Sequence, residues 1–472
     1  MPGGKPMRLQ ASRVQGSLLG LCLLAAATDA VLAEPFALVT GRRDPRIYAI
    51  DLAAALKPAN NNTGNAIISR SWVSPRRLDG VLLGDPANIV LSPDHKTAFV
   101  MNHHGQTSNT EFSQHGARAS VSLMDVKKML QRSSDNNDVA LQRVMDGGWF
   151  GGVGLLPLGN LLLTSASEGW LSEDGSNRIS IIDVKSGALV GQIQMPVKGQ
   201  GVRQLRSDCP DYDVPWKGGP PPAVPYLAPS KQFGCWPDPE SLALGKGSDG
   251  KSYLFSGNAG TEDVSVMDLN AALKGNPVVE VAARIPVQSG PFGIAASPNG
   301  KLIAVTARES NLEDDAEGNT ISIIDVDLAR QGKPGAEAAR VQVGTDDPKA
   351  LGRPFAVAWT PDGKEIVVAN FRTNNVSIVD VDLALGKKSG AEAARIALTR
   401  ADGQPARPKG VAVTADGHYA VVAGGANTIK ASATNLTGTA FVIDLQKKAQ
   451  VATVANVGID PYGVAILDKA PK

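Results

Sequence analysis

Cysteine is nearly missing from this chain. The 472 residues hold three, and only Cys209 and Cys235 lie beyond residue 33. No C-x-x-C-H tract is present to attach a haem. Histidine is also scarce, with five, and no H-E-x-x-H pair occurs. A G-x-S-x-G nucleophile elbow and a dinucleotide-binding glycine fingerprint after a strand are both missing, which removes the common serine-hydrolase and nicotinamide patterns. An excess of charge of one sign is lacking too: 47 Lys and Arg face 46 Asp and Glu. No global field therefore draws the chain to nucleic acid or to anionic lipid. Beyond residue 33 no apolar run is long enough to span a bilayer. What remains is a chain with 43% hydrophobic residues, too apolar for disorder, carrying 50 Gly and 31 Pro spread along its length. That mixture suits many short strands joined by turns.

The first 33 residues read as an address. Lys5, Arg8 and Arg13 precede an apolar stretch, Gly16 to Ala33, that ends on Val31-Leu32-Ala33. This is the pattern of a secretory signal cut before Glu34. Removing it leaves 44 basic and 45 acidic residues and two cysteines. In an oxidising compartment, Cys209 and Cys235 are most simply one disulfide. It would close a loop of about 26 residues, worth roughly 3 kcal/mol in the chain-entropy model. The reading places the protein in the periplasm or outside the cell, with residues 34–472 as a single domain.

That domain repeats itself. Pro291-Phe-Gly-Ile-Ala-Ala-Ser-Pro-Asn-Gly-Lys301 matches Pro354-Phe-Ala-Val-Ala-Trp-Thr-Pro-Asp-Gly-Lys364 and Pro408-Lys-Gly-Val-Ala-Val-Thr-Ala-Asp-Gly-His418. An apolar run follows each, then a polar loop, then a run closing on Asp325, Asp380 or Asp444. Asp51, Asp125, Asp183 and Asp268 close looser copies, making seven units. Each unit reads strand, tight turn, strand, loop, strand, connection, strand. Gly335–Arg340 recurs as Gly390–Arg395, the mark of a duplication. The unit at the amino end lacks its first strand, and Pro461–Ile466 supplies one at the other end. The chain is thus expected to be all-β: a seven-bladed propeller of four-stranded blades, its ring closed by the C-terminal strand pairing with the N-terminal blade.

With these repeats the chain resembles the YVTN-repeat family of β-propellers, through P-x-x-V-A-x-S-P-D-G-K, V-x-N and N-x-V-S-I-I-D. The resemblance covers nearly all of residues 34–472. It implies the fold, and relatives that are periplasmic or surface-layer propellers. More distantly it implies lactonases and the propeller subunits of redox enzymes. Lactonase-like propellers hold a metal with Glu, Asn and Asp at the tunnel, and here Asn88 and Glu240 occupy such places.

Loops between second and third strands fall on the face where each first strand begins. Several are long: 103–117, 167–177, 308–318 and 424–438. The insertion at 196–239, with both cysteines, joins them there. Long loops gathered on one face mark it as the functional face. Aligning first strands brings Phe292, Phe355, Tyr462 and Lys409 around the axial mouth, level with Ala87, Gly151 and Pro239. Asn88 and Glu240 come one position deeper, as the polar points of an apolar channel. His103, His104 and His115 share one loop with Glu111, a set suited to Zn or Cu, but their spacing matches no standard metal motif and a solvated polar loop is the favoured reading. Glu313, Asp314, Asp315 and Glu317 supply oxygens of the kind Ca takes, without the EF-hand pattern. Arg42, Arg43, Arg203, Arg206, Arg308 and Arg372 fall on the same face and suit an anionic ligand or an acidic partner. These residues lead to a binding module for a small molecule or another secreted protein, with no nucleic-acid partner. The rival is a metal-assisted lactonase-like hydrolase or a redox-enzyme subunit. A surface-layer scaffold is a third reading.

Overall fold

Runs of about six apolar residues alternate with Gly-containing turns along the chain, and each run becomes a strand. A computed structural model describes residues 35–73, 85–103, 119–145, 152–166, 177–195, 236–274, 280–309, 317–425 and 438–471. His104, His115, Cys209, Cys235, the acidic tract 313–316 and the leader segment 1–33 lie outside the described residues.

The strands form seven sheets, antiparallel but for one added edge strand. Blade six shows the unit: Pro354–Trp359, Glu365–Asn370, Asn375–Asp380 and Glu392–Ala397, each hydrogen-bonded to the next. Blade one is split between the ends of the chain. Pro461–Leu467 pairs with Phe36–Gly41, which continues through Arg46–Asp51 to Ile67–Trp72. The innermost strands of blades two to seven are Pro86–Leu91, Leu155–Leu158, Pro239–Lys246, Gly290–Ala296, Pro354–Trp359 and Pro408–Val413. Each touches its two neighbours in turn, and Pro461–Leu467 touches both Pro408–Val413 and Pro86–Leu91. The ring is therefore closed, as the split repeat requires.

Third strands are buried on both faces because each blade is covered by a neighbour on either side. The core is accordingly divided into clusters between blades. One holds Ile321, Ile323 and Val341 of blade five against Val357, Ile366 and Val368 of blade six. The seam has its own, joining Val421 and Val442 to Val39, Ile50 and Val464. A buried Ile or Val in such a cluster costs roughly 1–5 kcal/mol when cut back to Ala.

The seven Asp residues that close third strands have a common job. Each side chain accepts the backbone N–H three residues on, at 2.7–3.0 Å. In blades one, two, four, five and six this caps a helix of four or five residues. In blades three and seven it caps a turn.

Blade one carries a fifth strand, Ser133–Asn136, which leaves blade two and runs parallel to Ile67–Trp72. Trp72 Nε1 donates to Asp135, and Ser69 Oγ to the Met129 carbonyl. This strap covers the outer edge of the blade that holds the seam.

Candidate functional site at the axial mouth

Six of the seven inner strands are built on the same pair of residues, a proline followed by an axial side chain: Pro86-Ala87, Pro239-Glu240, Pro291-Phe292, Pro354-Phe355, Pro408-Lys409 and Pro461-Tyr462. The ladder is interrupted just after each proline, by a bulge in its own strand or the one paired with it. A proline has no N–H for a ladder, so it fits at a strand start or a bulge, and the bulge re-aims the residue that follows. The residue before the proline is left-handed in four blades: Asp238 (φ 52°), Arg353 (50°), Arg407 (43°) and Asp460 (54°). Non-glycine residues seldom adopt that region, and those held there cluster at functional sites. Backbone carbonyls at this step bind the loop between strands two and three. Arg42 N–H donates to the Asp460 carbonyl at 3.2 Å, His103 N–H to that of Asp85 at 2.9 Å and Phe371 N–H to that of Arg353 at 3.0 Å. The long loops thus start on the face where first strands begin.

The axial side chains, with Val153 of blade three, line a cavity of about 190 Å³ at this mouth. Glu240 stands level with Phe292, Phe355, Lys409 and Tyr462, not one position deeper as the strand alignment expects. Blade three contributes Val153 at this level; Gly151, expected there, lies outside the described residues. The proline carried the correct register: aligned on it, Glu240 matches Phe355. Phe292 and Phe355 centroids lie 4.6 Å apart, Phe355 and Tyr462 5.3 Å, and Phe292 and Tyr462 6.0 Å. The rings therefore meet across the axis. Ala87, Val153, Phe292, Phe355, Lys409 and Tyr462 also border a second cavity of about 180 Å³ toward the opposite face. This layer separates the two.

Asn88 lines the second cavity, not the first. Its Nδ2 donates to the Val153 carbonyl at 2.5 Å and its Oδ1 accepts the Ile89 N–H at 2.8 Å. The first bond ties blade two to blade three, the second stays within the strand of Asn88, and Glu240 lies on the other side of the aromatic layer. The two do not fit a shared metal of the kind the lactonase resemblance implies. Below the layer the channel is tight: a Cβ on Gly410 would lie 2.0 Å from the Tyr462 carbonyl oxygen, and one on Gly463 2.7 Å from Asn88 Cα. Among the described residues no three His, Cys, Asp or Glu side chains gather as metal ligands would. Of the three loop histidines, His103 borders the upper cavity.

Above the rings lies a layer of cations. The guanidinium of Arg42 sits 4.9 Å from the Tyr462 centroid, that of Arg308 4.1 Å from Phe292 and 5.3 Å from Phe355, and that of Arg353 5.4 Å from Phe371. Lys409 Nζ lies 4.9 Å from Tyr462 and 5.5 Å from Phe371. Carboxylates brace them. Arg42 Nε donates to Asp85 at 3.1 Å, and Lys409 to Asp460. Arg308 and Arg353 share Glu309, the first at 2.5 Å. Burial works to raise the Glu309 carboxyl, and the two arginines outweigh it, leaving it below the ordinary range. Burial raises Asp85 despite Arg42 and Arg43. Burial also lifts the Tyr462 phenol well above its usual value, keeping it protonated.

Four cations and two carboxylates, Glu240 and Glu309, therefore face the cavity over an aromatic floor. Such a site can hold an anion through guanidinium edges and an apolar face on the rings. Arg42 and Arg308 carry the arginine signal seen in the sequence. Arg353 and Phe371 escaped it, although they adjoin the paired first and second strands of one blade and Phe371 N–H donates to the Arg353 carbonyl, because each lies one residue outside its strand, beyond the positions that the repeat alignment compares.

No known protein family's profile matches the chain, and no curated protein is similar to it in sequence. Its fold is nonetheless shared by solved structures. The periplasmic gluconolactonase of Pseudomonas aeruginosa superposes with a TM-score of 0.56 at 15% identity, over 93% of this chain and 100% of that one. A protein of Bacteroides fragilis described as 6-phosphogluconolactonase-like gives 0.53 at 15% identity, over 93% and 99%. At these identities the likeness establishes the seven-bladed propeller fold.

Proposed function

We propose that this protein is a binding module that takes a small anionic molecule into the cavity at its loop-bearing mouth. We place it in the periplasm or outside the cell, with residues 1–33 as the signal that sends it there. The observation that carries the reading is the set of three guanidiniums, Arg42, Arg308 and Arg353, each laid over an aromatic ring of the cavity floor. Stacking on a ring holds a guanidinium plane in place, and its N–H edges match the geometry of carboxylate and phosphate. The volume of about 190 Å³ is below the roughly 300–1,000 Å³ of drug-sized sites, so the ligand is of metabolite size. Calorimetric titration with sugar acids, short dicarboxylates and phosphate esters tests this. We expect one of these classes to bind, and Arg308→Ala to weaken it about tenfold or more with the melting temperature little changed. Failure of all three classes to bind would sink the reading.

A second reading is favoured by His103 and Glu240, which border the same cavity and are the residue types of general acid–base catalysis. A lactone of a sugar acid would place its ring on the aromatic floor. The names of the structurally similar proteins agree with that chemistry. Opening of gluconolactone by the purified protein, abolished in Glu240→Gln with anion binding retained, would establish it. Equal rates with and without protein would remove it.

A further inference from the structure

We propose that Lys409 is a covalent anchor of the upper cavity, its ε-amino group condensing with the carbonyl carbon of a small anionic aldehyde or α-oxo acid. The inference deepens the binding reading above and rests on it. At the level of Lys409 the other blades place Ala87, Val153, Glu240, Phe292, Phe355 and Tyr462. A purely space-filling role is thus met by uncharged side chains in five of the six, and a buried ion pair there gains little over them. Lys409 is instead held ready for chemistry. It is 2% exposed, borders the cavity, lies between the Tyr462 and Phe371 rings and donates to Asp460 Oδ1. Asp460 Oδ2 is buried, with no hydrogen-bond partner among the described residues. Burial pulls the ammonium down to about 8, with Arg42 and Arg43 adding to the effect and Asp460 opposing it. A lysine desolvated beside other cations is the usual activated amine.

The step balances. Asp460 takes one proton from the ammonium. The free amine adds to the carbonyl carbon, the C=O π pair moves onto oxygen, and one of the two remaining N–H protons passes to that oxygen, giving a neutral carbinolamine. Asp460 returns the proton to that hydroxyl, which leaves as water. The nitrogen lone pair forms the C=N bond. Ammonium and carbonyl compound have become iminium and water, with no change in charge. The iminium keeps its cation–π contacts and its carboxylate counter-ion, while the ligand's own carboxylate meets the arginines.

The test uses the full-length wild-type protein, glyoxylate and cyanoborohydride at about pH 8, with the modified lysines located by peptide mass spectrometry. Its burial leaves Lys409 more of the free amine at this pH than an ordinary lysine has, so we expect Lys409 to be modified about tenfold faster or more than exposed Lys364 and Lys447. Oxalate, an anion of similar size that does not condense, should slow that modification and not the others. Asp460→Asn should slow it as well, in protein whose melting curve shows it folded. Modification of Lys409 no faster than of Lys364 would overturn the proposal. Oxalate binding, measured separately by calorimetry, reports on the cavity alone. If oxalate binds and Lys409 stays unmodified, only the covalent step is lost. If neither occurs, the covalent step falls, and the binding reading falls with it when sugar acids and phosphate esters also fail to bind.

Discussion

Burial moves charges in this protein by amounts that set their chemistry. Asp263, at the start of the third strand of blade four, is fully buried. Asn258 Nδ2 donates to its Oδ1 at 2.7 Å and Thr261 Oγ1 at 2.9 Å. Burial nevertheless raises its carboxyl to about 6, with Arg284 and these hydrogen bonds opposing. The folded state therefore binds the proton more tightly than the unfolded chain, where an Asp titrates near ~3.9. Between about pH 4 and 6 the folded state holds more protons, so the contribution of Asp263 to stability falls as pH rises, and its full cost is present at neutral pH. We expect the stability of wild type minus that of Asp263→Asn to drop by on the order of 2 kcal/mol across that window. Denaturant titrations of both proteins at about pH 4.5 and 7 read the difference. A difference that does not move with pH refutes the assignment.

Two local devices recur at the scale of the strand and the turn. The proline at the start of an inner strand withdraws an N–H from the ladder, and the bulge beside it turns the next side chain to the axis. The aspartate at the end of a third strand caps the short helix or turn that comes next. The capped helices have four or five residues, far too few to persist alone, so cap and packing must hold them together. In blade six Asp380 accepts from Leu383 N–H at 2.9 Å, while Val381 and Ala384 bury the helix against the blades. We expect Asp380→Ala to cost about 1 kcal/mol, the usual worth of a cap. Asp183→Ala, which removes the cap of an exposed turn, should cost less. Urea denaturation of the two variants compares them, and equal losses would show that helix capping is not what Asp380 supplies.

Over the whole molecule, stability depends on the ring being shut. Pro461–Leu467 pairs with Phe36–Gly41 and packs against the inner strands on both sides. Without it, Phe36–Gly41 would become an open edge with an apolar face, the feature that drives edge-to-edge association. We expect a chain ending at residue 460 to lose on the order of 5 kcal/mol or to fail to accumulate as a monomer, since that loss is comparable to total domain stability. Size-exclusion chromatography and a denaturation curve decide this. A monomer with wild-type stability would mean that the strap Ser133–Asn136 and the remaining blade contacts suffice. The closed ring also makes the site: the residues around the cavity come from blades one to seven and are separated by up to most of the chain.

The fold was legible in the sequence because a repeat is self-checking. Seven runs closing on aspartate, tight Pro-Asp-Gly turns, and a first strand missing at one end and present at the other admit a closed ring and little else. Even the aromatics of the axial mouth could be found, since Phe292, Phe355 and Tyr462 stand at one repeat position. What escaped was depth. A strand has a period of two, so a single bulge shifts the face and level of everything after it. Glu240 was expected one step too deep because Pro239, rather than the residue after it, was aligned with Phe292 and Phe355; with the prolines in register, Glu240 comes level with Ala87 and above Asn88, and the two fall in different cavities. Arg353 and Phe371 lie just outside the paired strands of blade six, beyond the repeat positions an alignment compares, and Lys409 meets Asp460 only because the inner strands of two successive blades pack side by side at the axis. Repetition along the chain determines the architecture. The meeting of seven inner strands at the axis decides which side chains share water, charge and a ligand.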